Sequence, residues 1–564
     1  MGTILGGQIA AQALINRGIE VIFTLSGGHI TPIYQFLEDS PIQLFDTRHE
    51  QAAVFMAEAY GRMTRKPGVA MVTAGPGFTN ALSAIANANQ ANSPLLLISG
   101  AVGVSCCEKW DLQDMQQAPV ITPMVKKAFV CHTPSRIGEF IDMAYRAAGC
   151  GRPGPVYLEL PVDVLNAQVE ESKAKQFNTT LCSSHPVDIP KAAQIVEMMK
   201  AAKKPMVIAG SGAWYSDSSA ELTAFADTCG IPIFTSSMGR GVISDTHPYC
   251  FESAVATRPG SVLFAQADAD LVIFLGVRLS LYFMFGEIID NNAKIIQIDV
   301  SPEELGRNRA VDLPVCSDAR GLLTECNRLI DEQGAGDGLK TQYAGWVEQL
   351  RSMDTASKTM MQPTWESQDT PIHPLRLMNE IDKFMDRDDD IIVGDGGDTQ
   401  IWMSMTRTVR QGGHYLDSGL YGCLGVGLPY AQSAKFLNPD KRVLCVIGDG
   451  SVGFNFMEFE TSIRKGIPMV VVISNDLGWG MIRHSQHLRL GHNIKDGTEI
   501  GYVPYHKLVE ALGGFGIQVE KPEDISSAIE KAFASGKTAC VNVMTDPTTI
   551  SPGSIALASI GAYK

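Results

Sequence analysis

The feature that most constrains this chain is a pair of short polar loops, each placed after an apolar run. Gly448-Asp449-Gly450-Ser451 follows Val443 to Ile447, and Asn475-Asp476 follows Pro468 to Ile473, with Asp476 twenty-seven residues beyond Asp449. Each run has the length and β-branched content of a buried strand. The segment between them, Asn455 to Lys465, reads as a helix. Strand, helix and strand in that order form a right-handed crossover, so the two strands run parallel. Both loops then open at one edge of the sheet, where open α/β folds bind their ligands. Asp449 and Asp476 delivered there are hard oxygen ligands suited to Mg²⁺, which bridges well to a diphosphate. Taken alone, the same residues also fit an acidic glycine turn followed by an ordinary loop.

A chain of 564 residues is too long for one core, and three domains are the natural division. Alternating apolar strands and helices give the fold class α/β, with three doubly wound parallel-sheet domains. In residues 1–170, strands are expected at Val21 to Thr24, Gln43 to Phe45, Val69 to Thr73, Pro94 to Ser99 and Val156 to Leu160. The polar stretch Glu170 to Asp188 reads as a linker. A second block, 189–335, has strands expected at Pro205 to Ala209, Ile231 to Thr235, Leu271 to Leu275 and Lys294 to Val300. A connecting region with one helix leads to the third block, 372–548, with strands expected at Ile391 to Val393, Val443 to Ile447, Pro468 to Ile473 and Ala539 to Met544. The small-residue segment 549–564 is expected to be a flexible tail or a lid over a site. The first and third blocks share a pattern of strand, glycine turn and helix, which suggests related folds.

Composition narrows the function. A hydrophobic content of 45% with 19% charged residues describes an ordinary globular protein. The net charge of −15 argues against nucleic acid or an anionic membrane as partner. The twelve cysteines include no Cys-x-x-Cys pair and no zinc-like spacing, so reduced, packed thiols in a cytoplasmic protein are expected. The first residues read as an amphipathic helix without a basic leader, and no apolar run approaches the roughly 20 residues of a membrane span.

Three further constellations stand beside the glycine-aspartate loops. Arg48-His49-Glu50-Gln51-Ala52-Ala53 opens a helical segment, and Glu50 in its first turn also suits a capping role. Ala74-Gly75-Pro76-Gly77-Phe78-Thr79-Asn80 and Tyr421-Gly422-Cys423-Leu424-Gly425 are glycine turns after or between apolar runs. Together, in this order and spacing, the four motifs resemble the thiamine-diphosphate-dependent family of acetolactate synthase, pyruvate oxidase and benzaldehyde lyase. The resemblance covers nearly the whole chain. It departs from the usual motif at Asp476, where Asn is common.

The resemblance implies that the first block binds the aminopyrimidine of thiamine diphosphate and the third binds its diphosphate through Mg²⁺. It casts Glu50 as the carboxylate that hydrogen-bonds the pyrimidine and activates the cofactor. Asp449, Asp476 and the carbonyl of Gly478 become the metal ligands. Gly396, Asp398, Thr399, Gly448, Gly450 and Ser451 are expected around the diphosphate. The carbonyl of Gly422 is expected at the 4′-amino group, with Leu424 holding the cofactor bent and Met481 in an apolar wall. Each site would join the first block of one subunit to the third block of another, which makes a homodimer the minimum and a homotetramer usual.

Within the family, His29 after the Gly27-Gly28 turn and Gln113 match catalytic residues of benzaldehyde lyase. A histidine titrating near neutrality can move the proton of a 2-hydroxy ketone. The expected activity is therefore a lyase or carboligase acting on 2-hydroxy ketones or aldehydes, with a small carbonyl compound as substrate. The rivals are an acetolactate-synthase-like decarboxylating ligase of 2-oxoacids, and a 2-hydroxyacyl-CoA lyase or oxalyl-CoA decarboxylase. In the middle block, Gly210-Ser211-Gly212 leaves FAD, ADP or CoA open, with an empty domain favoured. Arg240, Arg278 and Arg307 are candidates for a CoA phosphate, and Arg483 for a substrate carboxylate.

Overall fold

The computed structural model describes residues 2–181 and 186–559. It divides into two compact units: Met1–Ser183 with Tyr421–Pro439 and Phe454–Ile467, and Ser184–Leu420 with Asp440–Gly453 and Pro468–Lys564.

The first unit is built on a six-stranded parallel sheet in the order Gln43–Asp46, Val21–Thr24, Gly68–Val72, Leu95–Ala101, Pro155–Pro161, Lys127–Val130. Its central strands are buried along their whole length, as expected of strands covered on both faces. Helix Gly6–Asn16 lies against one side with Ile9, Leu14, Ile98 and Leu158 in a common core. Ahead of that helix stands a short strand, Thr3–Leu5, paired antiparallel with Gln168–Glu170. The opening residues are thus part strand where a helix was expected, and strand pairing reaches into the start of the expected linker.

Helix Gly427–Leu437 belongs to this unit and packs on helix Glu50–Thr64. The contact is held by a buried ionic knot. The Tyr430 hydroxyl meets Arg62 Nη1 at 3.2 Å and Asn87 Nδ2 at 3.1 Å, and Asn87 and Ser93 donate to the fully buried Glu58. Burial pushes the Glu58 carboxyl up, against the pull of Arg62 and these donors.

The second unit carries two six-stranded parallel sheets. One has the order Cys250–Ser253, Ile233–Thr235, Pro205–Ala209, Leu271–Leu275, Lys294–Asp299, Leu313–Cys316. The other has the order Tyr415–Leu416, Ile391–Asp395, Val443–Gly448, Val470–Asn475, Ala539–Met544, Phe515–Val519. Numbered along the chain, this last sheet and the sheet of the first unit share the order 2-1-3-4-6-5, whereas the remaining one is 3-2-1-4-5-6. The likeness expected between the first and third blocks is therefore topological. Between sheets, the expected connecting helix is a single element of thirty residues, Gly336–Trp365.

The expected helix between the glycine-aspartate loops is shorter than its apolar pattern, Glu458–Lys465, and is preceded by one turn, Asp449–Val452. The segment after Thr548 is not a loose tail in its described part: Pro552–Ser559 is a helix packed on helices Gly480–Leu490 and Gly397–Thr406. The last five residues of that expectation lie outside the described residues. Among the described residues no helix is long and apolar enough to cross a membrane, and the cysteines are free thiols.

Candidate active site

In the first unit, the strand order reverses between Val21–Thr24 and Gly68–Val72, and the loops leaving these strands splay apart there. Glu50 sits at this edge as the first residue of its helix, 6% exposed. Capping is done by its neighbour: His49 Nδ1 accepts from the Gln51 amide at 3.1 Å. Glu50 is thereby left for another role. Its Oε2 accepts from Asn80 Nδ2 at 2.9 Å, and its Oε1 faces Gly77, where a Cβ would stand 3.4 Å away.

Thr73 packs against two glycines and reaches the histidine. Its methyl would meet a Cβ on Gly77 at 2.7 Å and its Cβ one on Gly27 at 2.3 Å, so both glycines are required by this contact. Its hydroxyl lies 3.3 Å from His29 Nδ1. Gln113, in a left-handed conformation at φ 66°, reaches the His29 ring and packs on Gly75. Partial burial lowers the His29 pKa, against the opposing pull of Asp111 and the Gln113 hydrogen bond. The turn itself is pinned from below by buried Gln117, whose Oε1 accepts from the Gly75 amide at 2.8 Å while its Nε2 donates to Gly100 O at 2.9 Å. Glu50, His29 and Gln113 thus share one edge. Asn80, Thr73 and Gln117 join them without having been singled out by sequence, although Thr73 and Asn80 flank or lie in the glycine turn.

In the same unit, Gly422 and Gly425 take positive φ of 72° and 85° and leave Leu424 half-buried between them. Asn455 Nδ2 fixes this turn by donating to Gly425 O at 2.8 Å.

In the second unit, the matching reversal lies between Ile391–Asp395 and Val443–Gly448. The two following loops meet closely. A Cβ on Gly396 (φ 98°) would stand 3.3 Å from the Gly448 amide, and one on Gly448 would stand 3.3 Å from Thr399 Oγ1. Only small residues let two helix-opening loops converge in this way, with backbone amides exposed to an anion. Met481 covers the start of helix Gly397–Thr406, since a Cβ on Gly397 would fall 2.8 Å from its sulfur. Ser451 donates its hydroxyl to Asp395 at 2.6 Å.

Asp449 is 2% exposed. Its Oδ1 accepts from the Gly450 amide at 3.0 Å, but its Oδ2 is buried without a hydrogen-bond partner. Asp476 lies beside it, within hydrogen-bonding reach. Burial first, and the Asp476 carboxylate second, push Asp449 up to about 8. Two crowded carboxylates with an unmatched buried oxygen are a donor set that a divalent cation satisfies. Among the described residues no group of three or more His, Cys, Asp and Glu could hold a metal alone. A cation here would need the Gly478 carbonyl and ligand oxygens as well.

The Asp398 side chain is engaged within the protein. Its Oδ1 accepts from both Ser551 and Ser554 at 2.6 Å, and its Oδ2 lies 2.7 Å from His484 Nδ1. A carboxylate would repel a diphosphate, and this one instead ties the C-terminal helix down; its backbone amide alone is suited to an anion. His484 has acceptors on both nitrogens, Asp398 and Pro547 O at 3.1 Å. Burial opposes its charge, but the Asp398 carboxylate prevails and raises its pKa. Arg483 is likewise not free for a substrate carboxylate. It is buried and bonded to Asp476 and Glu499.

The middle-sheet glycines have a packing explanation. The Gly212 amide donates to Gly276 O at 3.0 Å, and a Cβ on Gly276 would fall 2.4 Å from Gly212 Cα. Backbone meets backbone there. Arg240 is buried in an ion pair with Asp245 and donates to Arg407 O at 3.0 Å, so it does not await a CoA phosphate, whereas Arg307 pairs with Glu304 at 3.1 Å with its own side chain exposed.

Comparison with known proteins agrees with this arrangement. Residues 4–120 match the N-terminal TPP binding domain of thiamine pyrophosphate enzymes, 192–326 their central domain and 395–543 their C-terminal TPP binding domain. A probable acetolactate synthase from Mycobacterium bovis is 32% identical over 551 residues, covering 98% of this chain and 97% of that protein. The human 2-hydroxyacyl-CoA lyase 2 is 31% identical over 595 residues, covering 98% and 92%. No relative among these carries the name benzaldehyde lyase, and the names fall instead on the two rivals of that first expectation. With carboxylates and glycine loops at two matching sheet edges, and three domain models in order, the chain belongs to the thiamine pyrophosphate enzyme family.

Proposed function

We propose that this enzyme cleaves or forms the carbon–carbon bond next to a carbonyl, with a 2-hydroxyacyl compound, in first place a 2-hydroxyacyl-CoA, as its substrate. The observation that carries this reading is the cluster of His29, Thr73 and Gln113 beside Glu50. A half-buried histidine with a lowered pKa is neutral at physiological pH and so can accept a proton. A 2-hydroxyl proton is what such a base removes when the adjacent carbon–carbon bond breaks. The name of the human relative supports the acyl class.

Thiamine diphosphate, when bound, supplies the electron sink for the broken bond. The chain's residues do the rest. Glu50, held by Asn80, shares a proton with the pyrimidine. His29 takes and returns the hydroxyl proton, with its ring oriented by Thr73, while Gln113 binds the substrate oxygen. Asp449, Asp476 and the Gly478 carbonyl hold Mg²⁺. Amides of the loops Gly396 to Thr399 and Gly448 to Ser451 bind the diphosphate. Gly422 and Leu424 seat the ring system, and Met481 excludes water. Two copies of the chain complete each site, so a homodimer is the minimum assembly and a homotetramer the expected one. Among the described residues the cysteines are free thiols, in keeping with a cytoplasmic setting.

The second reading is an acetolactate-synthase-like condensation of 2-oxoacids, favoured by the mycobacterial relative. Arg483 does not supply it with an anion anchor, because that guanidinium is engaged by Glu499 and Asp476. Parallel assays with a 2-hydroxyacyl-CoA, pyruvate and benzoin separate the readings. Turnover highest on the thioester is expected; turnover highest on pyruvate gives the site to the synthase class, and on benzoin to the 2-hydroxy-ketone lyases.

A further inference from the structure

We infer that Arg483 is a positioning residue that neutralises Asp476 and thereby lets an aspartate, rather than a neutral oxygen ligand, stand opposite a diphosphate. This rests on the reading of Asp449 and Asp476 as a cation site. Asp449 and Asp476 together bring two negative charges to a place that must also accept a polyanion. A neutral amide at position 476 would offer the same oxygen without the second charge. A bound Mg²⁺ offsets the two carboxylates, so without a further cation nothing is left over to attract the diphosphate's own charge.

Arg483 is placed to be that further cation. It is one turn inside helix Gly480–Leu490, seven residues beyond Asp476, and 8% exposed. Its Nη1 lies 3.3 Å from Asp476 Oδ2 and 3.2 Å from Asp476 O, and its Nη2 lies 3.2 Å from the same carbonyl. Glu499 grips the other side, at 3.2 Å from Nε and 3.1 Å from Nη2, and Pro547 O lies 3.3 Å from Nη1. The guanidinium therefore cannot swing away to serve a substrate. Gly478 is specified by the same contact: a Cβ there would stand 2.1 Å from Arg483 Nη2 and 2.4 Å from Thr498 O. Asp476, Gly478 and Arg483 form one unit, in which the cation fixes the loop that would present the metal ligands. A planar five-donor group suits this task better than a flexible ammonium.

The test is a double-mutant cycle read as binding of thiamine diphosphate in saturating Mg²⁺, by calorimetry or tryptophan quenching, with melting curves to establish folding. R483M is expected to weaken binding by at least ~10-fold, because it leaves an unpaired carboxylate. With E499Q present in every arm, so that Glu499 is not left unpaired in place of Asp476, D476N/R483M is expected to return to within ~3-fold of D476N alone, since the charge needing compensation has gone. Where R483M is not recovered folded, R483Q takes its place in both arms. Unchanged binding by R483M overturns the inference. So does equal weakness of R483M and the double variant, which would make Arg483 a scaffold of the loop and nothing more. Wild-type protein that binds no thiamine diphosphate with Mg²⁺ overturns the cation-site reading itself, and is distinguishable because it needs no variant.

Discussion

Asn80 Nδ2 donates to Glu50 Oε2 at 2.9 Å, which leaves Oε1 as the oxygen turned toward the Gly77 backbone. One oxygen is held and the other kept for exchange. This is how a carboxylate is oriented to share a proton with a bound ring. E50Q is expected to lower turnover by about 10²-fold or more with the cofactor still bound, in keeping with loss of a positioned acid–base group. N80L should give a smaller loss, about 10-fold, because Glu50 persists without its tether. Steady-state rates with cofactor saturation measured alongside check both.

His29 makes a pH signature. Its pKa is lowered, chiefly by burial, and the proposed role needs the neutral ring. The rate should therefore be flat at neutral pH and fall on the acid side, with the inflection below the ordinary value of about 6.5. H29A should lower turnover by about 10²-fold and abolish that acid limb. A pH–rate profile of kcat/KM for both proteins is the check.

Asp449 makes a second signature, in stability. In the metal-free protein its folded pKa is raised to about 8, chiefly by burial and then by Asp476. A carboxyl whose folded pKa is raised binds more protons when folded than when unfolded, so stability falls as pH rises from the ordinary carboxylate range toward about 8. D449N removes that titration. Metal-free D449N should melt above metal-free wild type at pH 8, and the gap should close near pH 4. Thermal melts in chelator across that range measure it.

Asp398 holds the C-terminal helix through Ser551 and Ser554. S551A/S554A is expected to free the helix Pro552–Ser559, read as faster proteolytic trimming at the C-terminus and faster amide exchange there, with the sheet's protection unchanged. Equal trimming in both proteins would deny the tether.

How much of this was readable beforehand follows the position of each strand. The central strands, such as Val443–Gly448 and Leu271–Leu275, are buried throughout and read as unbroken apolar runs. The strands that sequence reasoning missed are the two of the small antiparallel pair, Thr3–Leu5 and Gln168–Glu170, and five edge strands of the large sheets: Lys127–Val130, Cys250–Ser253, Leu313–Cys316, Tyr415–Leu416 and Phe515–Val519. Lys127–Val130 and Phe515–Val519 are mostly half-buried, and Leu313–Cys316 alternates buried and exposed, so no apolar run marks them. At the site, glycine loops and acidic residues were legible because the backbone demands them. Side-chain partnerships were not: nothing in the spacing showed that Asp398 turns to Ser551 and His484, or that Arg483 turns back on Asp476. Those pairings join residues far apart in the chain or depend on which way a helix face points.

The most direct test is the exchange rate of the thiazolium C2 proton of thiamine diphosphate, followed by NMR in deuterated buffer with Mg²⁺ on wild type and E50Q. Wild-type protein is expected to accelerate exchange strongly, and E50Q to bind the cofactor while losing most of that acceleration. Equal exchange in the two proteins, or no acceleration by wild type over free cofactor, would contradict the role assigned to Glu50 and with it the reading of the site.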